Sequence, residues 1–323
     1  MPRPELTVQL TSNGPNGLVL RNPVMLAAGT FGRDGYGAGL PTGLNFQGLG
    51  AIVAKTTFLA PRAGNPPPRI SHGPGWTLNS IGLQNPGIEV ILKEYAPKWA
   101  SWDVPVILSI AGERVEEFAI LAAMIDGVPG ISGVELNVSC PNVVGGLEFG
   151  QSPQLAEEVT SVVRKATSMP VLVKLSPNVT DLVSIAVAAV KGGADALTLT
   201  NTLIGMAIDL PLGKPTLGAI TGGVSGPALK PVALAMVYRT YRKVDVPIIG
   251  VGGITKTQDA LEFMAAGAQA VQIGTAAYAD PWAPLEILKG IEEFFVNHRM
   301  SSVGQLIAAA HRGANDLANP MII

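Results

Sequence analysis

The chain has a single cysteine, Cys140, in the stretch "GVELNVSCPNVVGG" over residues 133–146. It follows a strand-like run and precedes a segment carrying Gly145, Gly146 and Gly150. A thiol with a reference pKa of about 8.5 is a poor base at neutral pH, but a usable one beside a clamped substrate. A lone cysteine is otherwise a small buried apolar residue. Lys55 and Lys174 each interrupt an apolar run, in "AIVAKT" and "VLVKLS". A buried ammonium needs an anionic partner or an electron-rich ring, unless its stem lets the head reach water. Asn79, Asn85, Asn137, Asn142 and Asn201 fall near neighbouring strand ends. Their amides suit a planar ring carrying alternating N–H and C=O groups, although any one of them could simply form a turn. Asn137 alternates with Glu135, so both point inward if the run is a strand. "GVGGIT" and "QIGTA" supply Gly252, Gly253 and Gly274. Bare backbone N–H groups there could converge on a phosphate, or the glycines could serve tight turns alone.

The bulk composition narrows the setting. Of 323 residues, 47% are hydrophobic and 14% charged, with a net charge of −2. That suits a large core and gives no basic surplus for nucleic acid or a membrane surface. One cysteine rules out an intrachain disulfide and an iron–sulfur cluster held by this chain alone. His72, His298 and His311 lack metal-ligand spacing, so no metal site is expected. The N-terminus has no signal-peptide pattern, and apolar runs such as "VSIAVAAV" are too short for a bilayer. The expectation is a soluble, cytoplasmic protein.

The reactive types must be held by regular elements. Eight short runs rich in apolar residues read as strands: 24–30, 51–56, 105–110, 134–139, 171–176, 196–201, 247–253 and 270–275. Their nearly continuous apolar character suits parallel strands covered on both faces. Helical patterns lie between the later ones. "SPQLAEEVTSVVRKA" opens with Ser152 as N-cap and Pro153 behind it; "TDLVSIAVAAVKGGA" offers Thr180 as cap; "TKTQDALEFMAAGA" offers Thr255 or Thr257. The pattern predicts a (β/α)₈ TIM barrel in one domain over 1–323, with a doubly wound sheet as the alternative. Residues 6–22 read as an N-terminal hairpin that covers the barrel's bottom. Residues 203–224, after strand six, form a long Gly- and Pro-rich insertion, and residues 298–323 a C-terminal tail. In a barrel, chemistry gathers at the strand ends, which here carry Ala28, Lys55, Thr56, Ser109, Asn137, Lys174, Asn201, Thr202, Gly252, Gly253, Gly274 and Thr275.

These motifs together carry a resemblance. "PRAGNPPPR", "NSIGLQNPG", "NVSCPN", "VLVKLSPN", "LTNTLIGM", "GGVSGPA", "IIGVGGI" and "QIGTA", in this order, resemble the catalytic subunit of the class 1B dihydroorotate dehydrogenase family. The likeness runs from about residue 5 to about residue 297. It implies an FMN-containing barrel that oxidises (S)-dihydroorotate to orotate in pyrimidine synthesis. It implies that Cys140 is the general base. Lys55, Asn79, Ser80, Ile81, Gly82, Leu83, Asn137, Asn142, Asn201 and Thr202 would hold the substrate. Ala28, Lys55, Thr56, Ser109, Asn137, Lys174 and Thr200 would line the flavin. Gly226, Gly252, Gly253, Gly274 and Thr275 would receive its phosphate end.

The resemblance further implies a homodimer core and a partner subunit with FAD and a [2Fe–2S] cluster, in a heterotetramer that passes electrons to NAD. "NTLIGM" favours this type over the fumarate-using class 1A. Three places depart from the pattern. Ser109 in "SIAG" stands where Asn is usual, and Ala28 where Ser is frequent. The tail is longer than the pattern, and its "VGQLIAAAH" predicts an amphipathic helix. On the residues alone, two other functions stay open: a barrel lyase or isomerase using Lys174 or Lys55 as a Schiff-base amine, and a non-catalytic flavin-binding protein.

Overall fold

The eight apolar runs close into a parallel barrel in the computed structural model, which describes residues 3–11, 17–139 and 149–312. The strands are β1 (Val24–Leu26), β2 (Ala51–Thr57), β3 (Val106–Ile110), β4 (Gly133–Asn137), β5 (Val171–Leu175), β6 (Ala196–Leu199), β7 (Ile248–Val251) and β8 (Ala270–Ile273). Pairing of Val271 with Val24 and of Met25 with Ala51 closes the ring. Nearly every strand residue is buried, as their unbroken apolar character requires.

Helices α1 (Val115–Ile125), α2 (Pro153–Ala166), α3 (Leu182–Lys191), α4 (Lys230–Tyr241), α5 (Thr257–Ala265) and α6 (Ala283–Asn297) accompany the barrel strands. Ser152 caps α2, its side chain accepting from the Leu155 N–H. Two expected caps move. Asp181, not Thr180, caps α3 by accepting from the Val183 and Ser184 N–H groups. A carboxylate adds charge at the positive end of the helix, which a hydroxyl does not. The cap position of α5 is Lys256, and Asp259 reaches back to bond the Thr255 and Lys256 N–H groups.

The N-terminal hairpin is present: Val8–Gln9 pairs antiparallel with Val19–Leu20. Leu6, Val8, Leu10, Leu18 and Leu20 join the core, and the chain runs straight into the N-terminal end of β1. The insertion is not an open loop. Leu203–Gly205 and Gly222–Ser225 form an antiparallel sheet, joined by Trp76–Asn79 and Ile70–Gly73. The inserted sheet strand therefore continues to Ser225, one residue past the expected limit.

The expected helix in the tail is absent. Val303–Gln305 and Ala309–His311 are two 3₁₀ turns, separated by Ala308 in the left-handed region at φ +58°. The Ala308 N–H bonds the Met264 carbonyl, which turns the chain before a second helical turn can form. Val303, Leu306 and Ala309 are buried in the core instead. Among the described residues, no helix is long and apolar enough to cross a membrane.

Candidate active site

A cavity of about 680 Å³ opens at the carboxyl ends of the barrel strands. That is a normal size for a small-ligand or cofactor site. Its floor carries Lys55 and Thr56 from β2, Asn137 from β4, Lys174 from β5 and Thr200 after β6. Strand alternation places them there: Asn137 and Glu135 are both buried, two residues apart on one face of β4.

Hydrogen bonds fix the floor's polarity. Asn137 Nδ2 donates to Thr56 Oγ1 at 3.3 Å, and Asn137 Oδ1 accepts from the Ser139 N–H at 3.3 Å and Asn201 Nδ2 at 3.2 Å. Asn201 Oδ1 accepts from the Thr202 N–H at 2.8 Å. Ser109 does not line the cavity. It is fully buried on β3, and its hydroxyl meets Thr56 Oγ1 at 2.9 Å. Ser109 thus acts on the cavity only through Thr56. A serine side chain is short, and this bond holds it behind Thr56.

One wall is the segment 79–83, all five residues of which face the cavity. Asn65 Nδ2 donates to Ser80 Oγ at 2.6 Å and steadies this segment. Asn85, by contrast, is a turn former: its Oδ1 accepts from the Phe58 and Gly87 N–H groups. Ala28 and Thr202 complete the walls.

Two lysines give the cavity its positive character. Burial pushes the Lys55 ammonium below the usual lysine range, and the Asp34 carboxylate opposes that shift. The loop after β1 wraps closely around this side chain. A Cβ on Gly35, at φ +83°, would stand 2.7 Å from Lys55 Cβ. Asp34 accepts from the Tyr95 hydroxyl at 3.0 Å, and burial together with Asp34 pushes that phenol up to about 12. Lys174 is 9% exposed and forms no ion pair among the described residues.

The far end is a glycine cradle. Gly226, Gly252 and Gly253 line it with φ of +86°, +128° and +73°. A Cβ on Gly253 would lie 2.6 Å from the Lys230 N and 2.9 Å from the Gly226 carbonyl oxygen, so only glycine fits. Gly274 and Thr275 close this end, with Thr275 Oγ1 donating to Ser225 Oγ at 2.8 Å. Cys140 and Asn142 lie outside the described residues; Ser139, immediately before Cys140, lines the cavity.

The dihydroorotate dehydrogenase family model matches residues 11–295. The chain belongs to the dihydroorotate dehydrogenase family. It is 49% identical over 297 residues to the dihydroorotate dehydrogenase B (NAD(+)) catalytic subunit of Desulforudis audaxviator, covering 92% of this chain and 96% of that one. Over 310 residues it is 49% identical to the subunit of the same name from Citrifermentans bemidjiense, and 50% identical to that of Geotalea daltonii. Each of these two alignments covers 96% of this chain and 99% of the relative. Membership of the dihydroorotate dehydrogenase family makes the chain an oxidoreductase.

Some lining residues of this dihydroorotate dehydrogenase family member were not legible in advance. Arg62 and Glu113 pair at 2.6 Å across the cavity mouth, joining the loops after β2 and β3. Asn178 donates to Ser176 Oγ and to the Thr202 carbonyl, and accepts from the Ile204 N–H. Asn178 sits inside the motif "VLVKLSPN", which was the only signal available for it. Tyr278 bonds the Gly29 carbonyl and faces the cavity from beyond β8.

Proposed function

We propose that residues 1–323 form one FMN-binding domain that oxidises (S)-dihydroorotate to orotate in pyrimidine synthesis. The observation that carries this reading is the buried Lys174 side chain, with no carboxylate in ion-pair contact among the described residues, beside the oriented Asn137–Asn201 pair on one cavity floor. The chain's residues fit FMN on their chemistry. The cradle of Gly226, Gly252 and Gly253 leaves no room for a Cβ at Gly253, which suits close approach of a phosphate to bare backbone. Lys174 is a fixed cation of the kind an electron-accepting ring requires. When bound, FMN supplies a ring that takes a hydride from the substrate and gathers negative charge at its pyrimidine edge.

The substrate is an imide-bearing ring with a carboxylate. Lys55 meets the anion, and Asn79, Asn137, Asn142 and Asn201 match the alternating donors and acceptors of the imide edge. Segment 80–83 and Thr202 would hold the ring in register, while Ala28, Thr56 and Thr200 would line the flavin. Gly274 and Thr275 help receive the phosphate. Cys140 takes the proton from the ring carbon next to the carbonyl, as general base. Ser109 supports Thr56 from behind.

Electrons leave through a partner subunit carrying FAD and a [2Fe–2S] cluster, with NAD as final acceptor and a homodimer of this chain at the centre of a heterotetramer. The names of the relatives, catalytic subunits of an NAD(+) type, support this choice over a fumarate-using enzyme. The assembly is expected in the cytoplasm.

The test is spectroscopic. The purified protein is expected to be yellow, to release FMN on denaturation, and to change its visible spectrum when orotate is added. A colourless preparation that takes up no FMN would overturn the reading.

A further inference from the structure

Glu135 stands two residues before Asn137 on β4 and is the one fully buried glutamate among the described residues. Its Oε2 accepts from Thr198 Oγ1 at 2.9 Å and from Gln272 Nε2 at 2.8 Å. Its Oε1 is buried and meets no donor among the described residues. Both polar neighbours thus turn donors toward it, as they would toward an acceptor-only carboxylate. Gln272 does so at the expense of its own Oε1, which is left buried without a partner among the described residues.

Lys174 is the complementary case, a buried ammonium that forms no ion pair among the described residues. It lies on the strand next to Glu135. Its register partners are Asn137, two residues beyond Glu135, and Thr198, which donates to Glu135. Gln272 faces the same cavity as Lys174. A buried charge is costly unless an opposite one compensates it, and in a low-dielectric interior that compensation acts beyond contact distance.

We infer that Glu135 is the counter-charge of Lys174, and that the two would set the reduction potential of a flavin held in this cavity. This rests on the FMN site proposed above. Lys174 favours the gain of negative charge by the ring. Glu135, one layer below, offsets part of that and keeps the reduced ring a better electron donor. A flavin that must pass electrons on to a weakly oxidising acceptor such as NAD gains from that offset. Glu135 is a positioning residue that touches neither substrate nor flavin, and it works through charge, through Lys174 and through the fixed Gln272 amide.

The experiment is an anaerobic dye-equilibration measurement of the flavin potential in the FMN-loaded protein. Glu135→Gln keeps the shape and removes the charge; it is expected to hold FMN and to show a more positive potential. The exchange variant Glu135→Gln/Gln272→Glu returns a carboxylate to the pair, and its potential is expected to move back toward the wild-type value. A yellow Glu135→Gln protein with an unchanged potential would overturn the inference. A second measurement needs no variant: infrared spectra of wild-type protein labelled with ¹³C-glutamate at neutral pH. No protonated carboxyl band is expected, and its presence would identify a neutral Glu135 and defeat the proposal. A wild-type protein that binds no FMN at all would instead remove the functional reading, and this inference with it.

Discussion

Asn201 Nδ2 donates to Asn137 Oδ1 at 3.2 Å, tying the end of β4 to the segment after β6 across the strand that carries Lys174. The same Oδ1 accepts from the Ser139 N–H, so this amide also shapes the backbone leading into Cys140. One side chain therefore joins the cavity floor, a neighbouring asparagine and the approach to the proposed base.

Asn137→Ala removes the partner of Thr56, Ser139 and Asn201 together. Unpartnered buried groups cost about 1–3 kcal/mol, so orotate binding should weaken by roughly 5- to 150-fold. Titration of the visible spectrum with orotate measures this. Unchanged affinity would show that the amide faces no ligand.

Cys140→Ala is expected to retain FMN and orotate binding while slowing flavin reduction by at least about 100-fold, the scale of general-base catalysis. Stopped-flow reduction by dihydroorotate reads the step directly. Near-normal reduction in this variant would remove Cys140 from the proton transfer.

Lys55 should give substrate binding an early alkaline limb. Burial disfavours its charged form in the folded protein, so its pKa lies below the ordinary 10.5. Between that lowered value and 10.5 the unfolded chain holds more protons than the folded one. Lys55 therefore lends stability as pH rises through this window, while the anion loses its cationic partner. Orotate affinity is expected to fall with rising pH at values below 10.5, and Lys55→Met to abolish that dependence. An identical pH profile in the variant would assign the limb to another group.

Gly253→Ala should release FMN. The residue holds φ +73° and a Cβ would meet backbone atoms of Lys230 and Gly226. The strain amounts to about 1–3 kcal/mol, and the cradle must widen to relieve it. Gly43→Ala is the control, since Gly43 also has positive φ (+85°) but nothing lies within 4 Å of its added Cβ. FMN content after dialysis should drop in the first variant and hold in the second. Equal retention in both would deny the cradle a role in binding.

The barrel was legible because eight runs are apolar almost without interruption, and only strands buried on both faces need that. Lys55, Asn137 and Lys174 stood out for the same reason, as polar types inside such runs. The sheet over the cavity was not legible. Its strands are three to four residues long, and Thr77 meets Ser225 across a separation of 148 residues. Local pattern carries no information about such pairing. Arg62 lies in the motif "PRAGNPPPR", but nothing in that motif pairs it with Glu113 until the fold brings their loops together. The tail misled because "VGQLIAAAH" has helical periodicity, yet its apolar residues are drawn into the core one turn at a time. Cys140 was singled out as the lone cysteine and by its motif, and its position lies outside the described residues.

The most direct measurement is anaerobic addition of (S)-dihydroorotate to the purified, FMN-loaded protein while its visible absorption is followed. Bleaching of the yellow colour within the mixing time, with formation of one orotate per flavin, is the expected result. A flavin that stays oxidised under excess dihydroorotate would contradict the assignment of this cavity as the place where substrate and FMN meet.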